Sequence, residues 1–297
     1  MSVNTSTSLS NTVALYFERK FLERARAMLV HQEGAQFRGI EGNVGKTLIF
    51  NRYTPLALVT TPLTEGTNPS AVSIVDNQVQ VVLQDYGNQV QVSRILSTTD
   101  IDDRDKEKID LIAQNMGETL DALVRNACYQ GATPQNAWNV TTGYFTPAAI
   151  QQAVATLQEN KAPMYPGTFS WLGKLQPQTN ADLMGSTVWQ NAAVYSNVES
   201  LYQGEVGALY GVRFLVTNQG YTVSGTSGTV YSNFIHGREA FGVYDNQLDP
   251  PKLYIVTGPD SNNPAERFHT ISWAGQFAST VLNSSWLIDV RAYSATS

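Results

Sequence analysis

The residue types that most often do chemistry are scattered along this sequence. The histidines His31, His236 and His269 are far apart, and none has the His-x-x-x-His or cysteine–histidine spacing that binds zinc. Cys128 is the sole cysteine, so no disulfide can form within the chain. His236 and Asp245 could belong to a hydrolytic triad, but no serine is presented on a strand-to-helix turn. These patterns predict no metal site, no cofactor and no enzyme.

Two further motifs resemble binding loops only in part. Gly45-Lys46-Thr47 looks like the end of a phosphate-binding loop, but position 40 is Ile40 where that loop needs glycine. A strand is predicted to follow it, whereas phosphate binding requires a helix N-terminus. The aspartates between residues 100 and 105 lack the glycine and glutamate of a calcium loop, and are predicted to cap a helix.

Composition and charge exclude several classes of protein. The 297 residues suffice for one large domain or two packed ones. Hydrophobic residues make up 42% and charged residues 15%, which excludes a disordered chain. A net charge of −6 argues against a dedicated nucleic-acid binder. The sequence contains no apolar run of about 18 residues, so no membrane span is predicted, and no signal peptide is expected. A surface so poor in charge is expected to be covered in part by other protein.

Hydrophobic periodicity predicts three helices. The first is amphipathic, spans about 20 residues and begins near residue 10. The second holds helical spacing over about 28 residues within 100–131, with Gly131 as its C-terminal cap. At 1.5 Å per residue it is a rod of roughly 42 Å, and its single apolar stripe predicts packing across a sheet. The third helix begins at Thr146-Pro147, with threonine as N-cap and proline as first residue.

Alternating β-branched residues predict strands at 47–53, 78–83 and 89–95, with a turn at Tyr86-Gly87-Asn88 between the last two. The segment 54–78 between the first two strands contains three prolines. A loop of this length is uncommon inside a compact domain, and it predicts an extended hairpin arm that reaches over something else.

Further strands are predicted at 212–217, 230–236, 253–257, 268–282 and 286–293. The C-terminal strands are expected to return and pair with the early strands near 47–53 and 89–95. The predicted fold class is therefore α+β, with one long helix and mixed sheets.

The order helix, extended loop, long helix, α/β lobe and terminal strands is similar to that of tailed-bacteriophage major capsid proteins with the Hong Kong 97-type fold. Short motifs also resemble the N4-like phage capsid family, in the same order over about residues 10–293. They are Gly45-Lys46-Thr47, Thr61 to Pro69, Tyr86-Gly87, Ala153 to Leu157 with Ala162-Pro163, Tyr202 to Gly207, Tyr210 to Phe214, Gly237 to Gly242, Gly258-Pro259-Asp260 and Val281-Leu282-Asn283.

The resemblance implies a long spine helix, an extended hairpin loop, and peripheral and axial lobes. The chain would divide into an N-terminal arm (1–36), the extended loop with flanking peripheral strands (37–99), the spine helix and its connection (100–145), the axial domain (146–261) and a return to the peripheral domain (262–297).

The resemblance also implies a function and a set of partners. The subunit would self-assemble into hexamers and pentamers of an icosahedral shell that encloses double-stranded DNA. It would be assembled in the host cytoplasm and reside in the virion capsid. Besides copies of itself, the expected partners are a separate scaffolding protein, a portal protein, decoration proteins and packaged DNA bound without sequence specificity, with no membrane.

Five residues are predicted contacts between subunits. Glu65 and Gly66 lie at the predicted loop tip, where the glycine permits a tight turn and the carboxylate can meet a neighbour's cation. Gly204, Glu205 and Gly207 lie at a strand entry, and the resemblance implies a place for them at the capsomer axis.

Three alternatives stay open on the sequence. An encapsulin-type bacterial compartment protein would have the same fold and would enclose enzyme cargo. A soluble enzyme would need catalytic groups that converge from distant positions. A tail or adhesin module would more often show all-β repeats and no helix of this length.

Overall fold

The computed structural model describes residues 29–39, 45–53, 56–99, 104–136, 143–167, 170–189, 205–226, 228–245, 250–256, 258–259 and 263–295. Most of the predicted first helix, and with it most of the N-terminal arm, lies outside the described residues. The aspartates at residues 100–103 lie outside them too.

The predicted long helix is confirmed as α2 (Arg104–Gly131), which follows the short helix α1 (Arg94–Thr99). Its apolar stripe is buried along most of its length, at Ile109, Ile112, Met116 and Leu120. The stripe packs in one core with β-strand residues of the C-terminal third of the chain, including Ile271 and Trp273. The rod therefore lies across a sheet, as its single stripe predicts.

Gly131 does not act as the predicted cap in a left-handed conformation. It is the last residue of α2 and is not among the described glycines with positive φ. A Cβ at Gly131 would lie 2.7 Å from Val281, so glycine is required here because the helix end approaches a strand closely.

The predicted third helix is confirmed as α3 (Pro147–Glu159). Thr146 is extended and Pro147 occupies the first turn, although the threonine side chain makes no capping hydrogen bond. Ile150, Ala153 and Leu157 are fully buried against the largest sheet. A short helix, α4 (Pro177–Met184), follows the next strand.

The described strands lie in four sheets. In chain order they are β1 (Gln36–Arg38), β2 (Thr47–Tyr53), β3 (Asp76–Val82), β4 (Gln84–Ser93), β5 (Thr133–Asn136), β6 (Trp171–Leu175), β7 (Glu205–Leu209), β8 (Val212–Val216), β9 (Thr222–Gly225), β10 (Gly228–His236), β11 (Phe241–Tyr244), β12 (Lys252–Val256), β13 (Phe268–Phe277), β14 (Ser279–Val281) and β15 (Leu287–Tyr293).

The largest sheet has seven strands in the order β5-β15-β10-β6-β8-β7, with β9 paired to β10. Smaller sheets have the orders β1-β11-β14, β12-β13-β4 and β2-β3. The α+β class is confirmed, and so are the predicted strands that correspond to β8, β10 and β12. The division into peripheral and axial lobes stays a prediction.

One of the two predicted pairings of the C-terminal strands is correct. β13 pairs antiparallel with β4, from Phe268 opposite Ser93 to Phe277 opposite Gln84. The other half is wrong, because β15 pairs with β10 and β5 whereas β2 pairs with β3. Hydrophobic alternation marks a strand but does not select among several apolar partners.

The predicted turn at Tyr86-Gly87-Asn88 is also wrong, because all three residues lie inside the continuous strand β4. Gly87 is opposite Ala274, and a Cβ there would lie 2.7 Å from the carbonyl oxygen of Trp273. The glycine therefore marks a close approach of two backbones rather than a turn.

This arrangement predicts that Gly87→Ala lowers the free energy of unfolding by about 1–3 kcal/mol, because the new methyl group forces β4 away from β13. Urea denaturation measures the change. Gly39→Ala is the matched control, since a Cβ at Gly39 meets its nearest atom at 3.7 Å. Equal stability of the two variants would contradict the close approach.

Candidate assembly surface

The hairpin of β2 and β3 carries the proline-containing segment at its open end. The two strands pair from Thr47 opposite Val82 to Tyr53 opposite Asp76. Thr47 begins a strand directly after Gly45-Lys46, which confirms that the context is not that of a phosphate-binding loop. The side chains of β2 alternate, with Leu48 and Phe50 buried and their neighbours exposed.

The buried face of the hairpin is fixed to the body by a small apolar cluster. Leu48 and Phe50 pack there with Tyr244 and Ala278. The ring of Phe50 lies directly over Gly242 of β11, where a Cβ would lie 2.5 Å from the ring. The base of the hairpin is therefore held by close packing that leaves no room for an additional methyl group.

Residues 56–75, called here the extended loop, bury no side chain against the rest of the protein. Every residue in this range is exposed. Seven of them are large aliphatic residues, and Leu58 is 85% exposed: they are Leu56, Leu58, Val59, Leu63, Val72, Ile74 and Val75. Exposed apolar surface of this extent is typical of a site that contacts another molecule.

The predicted turn at the loop tip is present. The amide of Thr67 donates to the carbonyl of Thr64 at 3.1 Å, and Gly66 has φ of +80°, which a residue with a side chain rarely adopts. Glu65 is exposed beside it. The contact of Glu65 and Gly66 with a neighbouring subunit stays a prediction.

The other three predicted contact residues belong to a different sheet. Glu205 and Gly207 lie on β7, an edge strand of the seven-stranded sheet, and Gly204 lies outside the described residues. The pairing with β8 is irregular between Glu205 and Gly207. Their predicted place at a capsomer axis stays a prediction.

The structure brings together polar groups that sequence spacing did not associate. His31, Asp121, Lys174 and His236 are all buried, and Nδ1 of His31 lies 2.6 Å from Oδ2 of Asp121. Burial lowers the pKa of both histidines. It also lowers the pKa of Lys174 to about 8, while the charge of Asp121 raises it in part. The one hint in the sequence is a lysine within the apolar strand β6, which is buried throughout.

This cluster lacks the features of an active site. Its ionisable groups are at most 2% exposed, so a substrate has no access. Burial raises the pKa of the nearby Cys128 thiol to about 12, which keeps it protonated and unreactive. Within the part of the chain that the structure describes, no group of three or more potential ligands could hold a metal ion. No described helix is long and apolar enough to cross a membrane.

The whole arrangement is similar to solved phage capsids. The capsid of Ralstonia phage GP4 matches with a TM-score of 0.67 and 12% identity, over 88% of this chain and 87% of that one. The capsid of cyanophage P-SCSP1u matches with a TM-score of 0.65 and 14% identity, over 90% and 89%. The capsid of cyanophage Pam1 matches with a TM-score of 0.63 and 16% identity, over 92% and 93%. This chain has the Hong Kong 97-type fold.

The likeness is one of structure and not of sequence. No protein-family model matches the chain, and no curated protein matches its sequence. The predicted capsid fold is thus confirmed, whereas the narrower resemblance to the N4-like family stays a prediction.

Because Phe50 anchors the hairpin of β2 and β3, Phe50→Ala is expected to loosen the hairpin at its base. Truncation of a buried phenylalanine to alanine lowers the free energy of unfolding by about 3–5 kcal/mol. Here the loss is expected mainly in the two-stranded sheet. Hydrogen exchange of β2 and β3 should accelerate at least tenfold while β13 stays protected.

Ile49→Ala is the matched control on the opposite face of the same strand, because Ile49 is 37% exposed and Phe50 is 2% exposed. If both variants accelerate exchange equally, the hairpin is not anchored through Phe50.

Proposed function

We propose that this protein is the major capsid protein of a tailed bacteriophage. It assembles with copies of itself into hexamers and pentamers of an icosahedral shell that encloses double-stranded DNA. The observation that carries the proposal is the extended loop on this fold: a long apolar segment anchored at its base and exposed throughout.

The energetics of the loop favour contact with another protein. Full burial of one large aliphatic side chain contributes roughly 1.5–3 kcal/mol, and seven such residues are exposed in the loop. Closed shells use contacts that repeat around symmetry axes, so a modest contact in each copy sums over many copies. A neighbouring subunit is therefore the partner that suits this segment.

The two predicted contact regions would have different roles in assembly. Glu65 and Gly66 present a carboxylate on a tight turn at the tip of the loop, where a cation of the neighbour would meet it. Glu205 and Gly207 lie on the edge strand β7. An edge strand has unpaired backbone groups, and contact with a neighbour at the capsomer axis would cover them.

The further partners follow from the same proposal. A scaffolding protein would direct assembly in the host cytoplasm, a portal protein would occupy one vertex, and decoration proteins would bind outside. Packaged DNA would lie against the inner surface without base recognition.

The encapsulin-type compartment is less well supported. The solved structures described above are phage capsids, and nothing among the described residues marks a cargo site. A soluble enzyme is disfavoured because the cluster of His31, Asp121, Lys174 and His236 is closed to solvent.

Assembly itself is the first expected outcome. The purified protein, expressed together with the proposed scaffolding protein, should form particles from hexamers to megadalton shells. Size-exclusion chromatography followed by negative-stain microscopy measures this. A stable monomer under these conditions would contradict the proposal.

The extended loop provides a sharper test. Because Tyr53 and Asp76 are paired, an Asn-Gly turn in place of residues 54–75 should close the hairpin and leave the subunit folded. Shell closure should be lost, with an unchanged circular dichroism spectrum and melting temperature.

A second variant separates apolar contact from loop length. Serine at all seven exposed aliphatic positions should also stop assembly, whereas serine at Thr60, Thr61, Thr64 and Thr67 should not. Shells that form normally from the turn variant would show that the loop is not the assembly contact.

A further inference from the structure

A cleft opens beside the base of the hairpin, between β2 and the segment that precedes β15. It has a volume of about 290 Å³ and is called here the basal cleft. Its walls are largely apolar, with Phe50, Val79, Leu282 and Trp286 among the residues that line it. The volume is at the lower end of the range of roughly 300–1,000 Å³ that small-molecule sites have, so the cleft suits a side chain or a tight turn better than a cofactor.

A cation faces this apolar surface. Arg52 lies on the same side of β2 as Leu48 and Phe50, and its guanidinium lies over the ring of Trp286, 5.1 Å from the ring centre. Stacking on a ring uses the flat face of a guanidinium and leaves the N–H groups at its edge available. Within the described part of the chain, Arg52 has no acidic partner and no hydrogen-bond acceptor. The basal cleft therefore presents donors that suit a carboxylate.

The carboxylate that lines the cleft is already paired. Oε1 of Glu239 accepts hydrogen bonds from Nε and Nη2 of Arg238, at 3.0 and 2.7 Å. The charge of Glu239 is therefore balanced by its own neighbour in the chain. Together with Arg52, this pair leaves an excess of positive charge at the cleft.

The extended loop has the complementary composition. Glu65 is the sole charged residue in residues 56–75, and seven of the others are the exposed aliphatic residues named above. Glu65 lies in the turn that the hydrogen bond between Thr64 and Thr67 closes, and nearby Leu63 is 66% exposed. The tip of the loop therefore combines a carboxylate with apolar surface, just as the cleft combines a guanidinium with apolar walls.

The tip does not occupy the cleft of its own subunit. Glu65 and its neighbours in the loop are exposed, and a Cβ at Gly66 would meet no atom within 4 Å. Contact between the tips of two copies would be unfavourable, because it would bring two Glu65 carboxylates together. The basal cleft of a second copy offers the tip a cation instead.

We propose that the tip of the extended loop docks in the basal cleft of a neighbouring copy, where Glu65 binds the neighbour's Arg52. The inference rests on the proposed function and adds the surface that receives the loop. Tip and cleft are different surfaces of the subunit, so each copy offers its tip to one neighbour and its cleft to another. Such head-to-tail contacts close into rings when the rotation between copies allows it, as in hexamers and pentamers.

The position of the cleft couples one contact to the next. Phe50 lines the cleft and also anchors the hairpin of its own subunit. Tyr53 lines the same cleft and is 63% exposed in the isolated subunit. A docked tip would cover Tyr53 and pack beside Phe50, so it would stabilise the base of the arm that reaches the following copy.

Charge variants test the pairing in particles prepared as described above. Glu65→Asp keeps the carboxylate and should assemble as the unaltered protein does. Glu65→Arg should lower the yield of closed shells by about tenfold or more, because two cations would then meet in an apolar cleft. Since Glu65 is exposed in its own subunit, both variants should keep the melting temperature of the unaltered protein. A normal yield of shells from Glu65→Arg would overturn the inference.

Engineered cysteines locate the contact, since the native Cys128 is buried. Thr64→Cys combined with Asn51→Cys places one thiol at the tip and one at the exposed rim of the cleft. After mild oxidation, the particles should give covalent oligomers larger than dimers on a non-reducing gel. Each single variant should stay monomeric. The control pair of Thr64→Cys with Glu159→Cys, which is exposed at the end of α3, should also stay monomeric.

The outcomes separate this inference from the proposed function. Particles that form normally but give no covalent oligomers from the tip and cleft pair would overturn the docking and leave the capsid proposal intact. Dimers from Thr64→Cys alone would show that tips meet each other, which would also overturn it. If the unaltered protein forms no particles, the proposed function fails and the inference fails with it.

Discussion

A segment of twenty residues that buries none of its own side chains can project from a protein only if its ends are firmly held. In this chain the packing of Phe50 over Gly242 supplies that hold, with Leu48, Tyr244 and Ala278 around it. The hairpin pairs with no other sheet among the described strands, so side-chain contacts hold its base: this cluster, and Arg52, which lies over the ring of Trp286. The proposed role of the extended loop depends on this contact, because a loosely attached arm would lose much of its binding energy to conformational entropy.

The helix α2 connects the remaining parts of the fold. Its apolar stripe supports β13 and β11, and its buried Asp121 accepts a hydrogen bond from the amide of His31. The same helix therefore contributes both an apolar face to the core and a buried carboxylate that accepts a hydrogen bond. A displacement of α2 would alter both contacts.

Local patterns in the sequence were sufficient to predict the elements that depend on residues close together in the chain. The 3.6-residue period of α2, the Thr146-Pro147 start of α3 and the alternation of β2 each depend on residues close in the chain, and each is confirmed. The prolines of residues 54–78 likewise predict a long exposed connection without any knowledge of its surroundings.

Contacts between distant residues could not be predicted in this way. Gly87 and Gly131 are glycines because Trp273 and Val281 come close to them, and neither neighbour is near in sequence. The partner of β15 depended on a choice among several apolar strands. His31 and Asp121 are 90 residues apart, so the buried cluster becomes visible only when the chain is folded.

The burial of Cys128 has a consequence for how copies of this chain can be held together. It is the only cysteine in the sequence and is 2% exposed, so the folded surface offers no accessible thiol. A shell built from this folded subunit would have no disulfide bonds between its copies, so thiol reductants would not weaken those contacts. Contacts between folded copies of this chain would therefore have to be stable without disulfide bonds.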